Sequence, residues 1–94
     1  MFEMRRDDDG TVRLIGRLDA AEAEDHKAAF EALTGPLVFD CSELDYVSSA
    51  GLGVLLVTFR RLKTAGQETK FVRMLPRVRN IFSYAGLDRV LSIE

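Results

Sequence analysis

From its N-terminus the chain alternates short apolar runs with segments whose apolar residues recur at helical spacing. "FEMRR" and "TVRLIGRL" are extended-looking runs separated by Asp7, Asp8, Asp9 and Gly10. Asp-Gly between two such runs signals a hairpin, because glycine accepts the positive φ of a tight turn, so the two runs are predicted to pair antiparallel. In "LDAAEAEDHKAAFEAL", Asp19 is a good N-cap and Glu22 completes a capping box. Alanine and glutamate favour a helix there. Ala23, Phe30 and Leu33, with Ala29 beside them, supply its apolar stripe, and Gly35 and Pro36 stop it.

"PLVFDCS" is short and nearly continuously apolar, the pattern of a strand buried on both faces. It leads through "ELDYVSSAGLG" into "VLLVTFRRLKTAG". Leu52, Leu55, Leu56, Phe59 and Leu62 fall on one face of a helix. Arg60, Arg61 and Lys63 suit the negative end of its dipole, and Gly66 is a natural terminator. "ETKFVRML" reads as a fourth strand. Pro76 then opens a helix whose Val78, Ile81, Phe82 and Ala85 face inward, Gly86 ends it, and "RVLSIE" closes as a last strand. The order β-β-α-β-α-β-α-β predicts an α/β domain with a mixed sheet, parallel where helices cross over.

Bulk properties narrow the function. The chain has 94 residues and reads as one domain, residues 1–94, able to bury roughly 60–65% of its unfolded surface. A net charge of −2 with both signs interspersed gives no footprint for nucleic acid or an anionic membrane. No apolar stretch approaches the ~20 residues of a membrane span, and "MFEMRRDDDG" is charged where a signal peptide is apolar. The single cysteine, Cys41, excludes an internal disulfide. These features predict a cytoplasmic protein without membrane insertion. One histidine and one cysteine far apart are no ligand set, so neither metal nor cofactor is expected.

The chemistry concentrates at "DYVSSAGLGVLLVTF", where Ser48 and Ser49 sit between a strand-like and a helix-like run. A nucleophile elbow needs Gly-x-Ser-x-Gly, but Tyr46 and Val47 stand two positions before the serines. The lone histidine, His26, lies in a charged helical segment and reads as a solvated surface residue. Gly51 and Gly53 open a helix after a strand, yet neither a G-x-G-x-x-G nor a P-loop run is present. A helix cap accounts for one serine, at about 1 kcal/mol. It does not account for two with a glycine in the first turn, which also leaves room for something to approach. An exposed serine at a helix N-terminus is in addition a good phosphorylation site. The product carries about −1.5 to −2 charges at the positive dipole end and faces free N–H donors.

"GRLDAAEA", "LVFDCSELDYVSSAGLGVLL" and "PRVRNIFSYAGLDRVLSI" resemble, in order and spacing, the STAS domains of bacterial anti-sigma factor antagonists. The resemblance covers nearly the whole chain. It implies a five-stranded mixed sheet with helices mainly on one face, and a non-enzymatic protein. It also implies that the serine after a usual Asp is phosphorylated by an anti-sigma factor that is itself a serine kinase. The unphosphorylated form would bind that kinase and free the sigma factor, and a serine phosphatase would reset the cycle. Matched by position, the usual Asp falls on Ser48 and the acceptor on Ser49, with Ser48 as fallback; Ala50, Gly51, Leu52 and Gly53 follow the pattern.

Opposite the apolar stripe of the same helix lie Gly53, Val54, Val57 and Arg61, so Ser48, Ser49, Gly51, Gly53, Val54, Val57 and Arg61 form the expected partner-binding set. A rival reading keeps the domain and removes the cycle: a permanent STAS subunit binding the ATPase of an ABC-type phospholipid transporter. Homodimerisation stays open.

Overall fold

A computed structural model describes residues 1–94. Strands β1 (Phe2–Arg6) and β2 (Thr11–Leu18) form the predicted hairpin, with Gly10 at φ +87° and the Asp9 carboxylate accepting from Thr11 N–H at 2.9 Å. Helices α1 (Ala20–Asp25) and α2 (Lys27–Glu31) lead to β3 (Leu37–Val47) and the long α3 (Ser49–Thr64). Strand β4 (Thr69–Val72), α4 (Pro76–Tyr84), one 3-10 turn (Leu87–Arg89) and β5 (Ser92–Ile93) complete the chain. The sheet order is β1-β2-β3-β4-β5; only β1/β2 is antiparallel.

The sheet buries one face. Along β2, Val12, Leu14 and Leu18 are fully buried, while the alternate residues Arg13 and Arg17 point the other way, as the period of two requires. Phenylalanines run through the core beneath the helices: Phe30, Phe39, Phe71 and Phe82 succeed one another at centroid separations of 6.4, 5.1 and 6.3 Å. The opposite face is laced by charge. Arg13 pairs with Glu43, Arg17 lies 4.4 Å over the Tyr46 ring, and Arg73 bonds Asp40 at 2.8 Å. The Arg73 guanidinium, helped by the Ser42 N–H, holds the Asp40 carboxyl down at about 2. Burial pushes the Cys41 thiol up to about 12, so it is packing rather than chemistry.

Four expectations need correction. The predicted first helix is two, broken at His26 (φ −103°, ψ 5°), whose Nδ1 lies 2.9 Å from the Glu22 carbonyl oxygen; such a side chain competes with the helical ladder. His26 is also not simply solvated: it is partly buried, edge-on to Phe2 at 5.0 Å. Ala29 and Ala85 are exposed and Leu56 is half-buried, whereas Ala23, Phe30, Leu33, Leu55, Phe59 and Leu62 are in the core. Finally, β3 runs to Val47 through the polar residues after Cys41, because irregularities in the β2/β3 register accommodate them.

Candidate functional site

Two hydroxyls that look alike in sequence have different jobs. Ser48 is the N-cap of α3, at φ −81° and ψ 173°. Its Oγ accepts from Gly51 N–H at 3.1 Å and donates to the Leu18 carbonyl at 3.2 Å. Its own N–H reaches the same carbonyl at 2.9 Å. Ser48 is thus half-buried and pinned to the end of β2. A carboxylate here could accept from Gly51 but could not donate to Leu18, so serine suits the position. Ser49 is the first helical residue and is exposed. Of the orphan donors of the first turn, Gly51 N–H goes to the cap; the N–H groups of Ser49 and Ala50 remain at the positive end of α3, beside the Ser49 hydroxyl.

This division makes Ser48, and not Ser49, the serine that the cap accounts for. Ser48→Ala is expected to lose about 0.5–2 kcal/mol of folding stability. Ser49→Ala, at an exposed first-turn position, is expected to stay within about 0.5 kcal/mol of wild type. Urea titrations of the two variants check the contrast, and a larger loss in Ser49→Ala would place its hydroxyl inside the fold.

Below Ser49, α3 and the α1–α2 segment enclose a groove of about 300 Å³. Ala23, Lys27 and Phe30 form one wall, and Gly53, Val54 and Val57 the other. Val57 is 62% exposed, Gly53 is exposed, and Val54 is half-buried. Ser49, Gly53 and Val57 therefore share one open surface. The α1–α2 wall was not legible from the helix periodicity, which assigned Ala23 to the core alone; the small side chains at Ala20 and Ala23 are what leave the space.

Besides Ser48, two further members of the expected surface set are taken up by the fold itself. Gly51 is buried: a Cβ there would stand 2.6 Å from the Leu18 carbonyl oxygen and 2.9 Å from Val47 Cγ1. What approaches this glycine is the protein's own β2, not a ligand. Arg61 donates to the carbonyls of Phe30 and Leu33, both at 3.0 Å, and so ties α3 to the end of α2. No group of three or more His, Cys, Asp or Glu side chains could hold a metal ion, and no helix is long and apolar enough to cross a membrane.

The fold and this strand-serine-helix junction define a STAS domain. The family model described as "Mlab, STAS domain" matches residues 1–92, and the chain belongs to this family. Among relatives, a Bordetella bronchiseptica protein named BtrV, described as a candidate anti-sigma factor antagonist, is 34% identical over 84 residues; the match covers 85% of this chain and 72% of the relative. The anti-sigma F factor antagonist of Lysinibacillus sphaericus is 26% identical over 81 residues, covering 81% and 69%. Two solved structures share the fold. The phosphorylated form of the Bacillus cell fate determinant SpoIIAA superimposes with a TM-score of 0.69 at 22% identity, covering 100% and 91% of the two chains. An anti-sigma factor antagonist from Mycobacterium paratuberculosis gives 0.80 at 24%, covering 99% and 83%.

Proposed function

We propose that this protein is a non-enzymatic anti-sigma factor antagonist of the cytoplasm, switched by phosphorylation of Ser49. In its unphosphorylated form it binds an anti-sigma factor that is also a serine kinase, through Ser49, Gly53, Val54 and Val57. Phosphorylation releases it, and a serine phosphatase restores binding. The observation that carries this reading is the shared surface. Ser49 is exposed at the start of α3, next to Ala50 and one helical turn before Gly53, both of which line an open groove. A phosphate there adds about −1.5 to −2 charges to the groove rim without disturbing the Ser48 cap. The relatives named as anti-sigma factor antagonists support the class of partner.

One observation favours the rival, a permanent subunit of an ABC-type phospholipid transporter. Ser48 stands where the resemblance expects an aspartate, so no carboxylate flanks Ser49 from that side. Incubation with the cognate kinase and ATP separates the readings. Intact-mass measurement should show one added phosphate on wild type and none on Ser49→Ala. A phosphate that persists in Ser49→Ala moves the acceptor to Ser48, and none on wild type favours the permanent subunit.

A further inference from the structure

We propose that the free edge of β1 is a self-pairing surface, which joins two copies of the chain into one continuous sheet about a two-fold axis at Met4. The hydrogen bonds at both ends of the β1/β2 pair fix which main-chain groups are free. Arg17 N–H donates to the Met1 carbonyl and Asp7 N–H to the Thr11 carbonyl, each at 2.8 Å, and the register between them is unbroken. Bonded pairs alternate in an antiparallel ladder, so the main chain of Glu3 and Arg5 faces β2. The N–H and C=O groups of Phe2, Met4 and Arg6 face outward. The other sheet edge, β5, is only two residues long and offers no comparable ladder.

An antiparallel copy centred on Met4 sets Phe2 opposite Arg6 of the partner subunit, and Met4 opposite Met4 of the partner subunit. All of these are outward-facing residues, so each opposed pair can exchange two hydrogen bonds. The same register places Glu3 directly opposite Arg5 of the partner subunit, in the closely spaced, non-bonded pairs where side chains meet best. "FEMRR" is thus self-complementary in charge under a two-fold axis, as an isologous interface requires. Within one chain Arg5 already bonds Glu3 at 2.7 Å on the exposed sheet face, but its direct neighbour across β1/β2 is Arg13, a like charge. Arg13 is balanced by Glu43, and Glu3 of the partner subunit adds a second carboxylate beside Arg5. Slipping the register by two residues would break every charge pair, so the pattern selects one alignment. The axis stands perpendicular to the sheet, and both helical layers lie on the same side of the joined sheet. Five residues of edge bury far less than the ~1,200 Å² of a stable complex, so the dimer forms reversibly.

Sedimentation velocity of the whole chain across the micromolar to millimolar range tests this. The wild type should rise from 10.5 kDa toward twice that mass. Met4→Pro removes an outward N–H and leaves the β1/β2 bonds intact, since proline is tolerated on a sheet edge; it should remain monomeric, with an unchanged far-ultraviolet circular dichroism spectrum. Should Met4→Pro not fold, the charge variants decide alone. Glu3→Arg should weaken dimerisation at least tenfold, and Glu3→Arg with Arg5→Glu should restore it. A wild type that stays monomeric at millimolar concentration overturns the proposal. So does a dimer that survives in folded Met4→Pro, or a double variant that is no better than Glu3→Arg.

Discussion

Gly51→Ala should lose roughly 2–3 kcal/mol of folding stability, whereas Gly53→Ala, on the same helix, should hold its stability or gain up to ~1 kcal/mol. The two glycines differ in what lies next to them. At Gly51 the new methyl group would meet the Leu18 carbonyl oxygen at 2.6 Å. That oxygen cannot retreat freely, because it accepts from both the N–H and the hydroxyl of Ser48. Relief requires moving the start of α3 and loosening the cap, so the substitution acts on the helix start that carries Ser49 as well as on the fold. At Gly53 nothing lies within 4 Å, and alanine only restricts the unfolded chain and improves helix propensity. Urea titration of both variants reads the difference. Equal stabilities would mean that α3 does not seat on β2 as described.

Val57→Asp should weaken binding of the kinase partner at least tenfold, a change of ~1.4 kcal/mol, while the protein stays folded. Val57 is the most exposed large apolar side chain of the helices apart from Tyr84. It belongs to the groove wall below Ser49. A partner that covers it desolvates the new carboxylate beside Glu24 and Glu31 on the opposite rim, which no cation of the groove except Lys27 offsets. Folding is insulated because the side chain points away from Leu55 and Phe59, which anchor α3 to the sheet. Calorimetric titration, with circular dichroism as the folding control, measures the loss. Full affinity in the folded variant would place the interface elsewhere.

The order of strands and helices was legible because hydrophobic periodicity and turn chemistry agree along most of the chain. The core face of α3 is an example: Leu52, Leu55, Phe59 and Leu62 are all buried. The break at His26 was hidden by good helix formers on either side of it. The full length of β3 was hidden because Ser42, Glu43 and Asp45 resemble a loop, although they lie on the polar face or at register irregularities. At the site, composition singled out the serine pair and the glycines but could not divide their labour. Which serine caps the helix depends on the β2 carbonyl that Ser48 reaches, a contact 30 residues away in sequence. Arg61 likewise sits at a surface position by periodicity, yet its partners belong to the α2 end that no local pattern reveals.

The central claim is that a phosphate on Ser49 controls docking on the groove of α3. The measurement that bears on it most directly is the affinity of the kinase partner for two preparations of this protein, one unphosphorylated and one carrying phosphate on Ser49 alone. Both should show the same circular dichroism spectrum, because the exposed first-turn position leaves the Ser48 cap in place. The phosphorylated form should bind at least tenfold more weakly, and phosphatase treatment should return the original affinity. Equal affinities for the two folded forms would contradict the account.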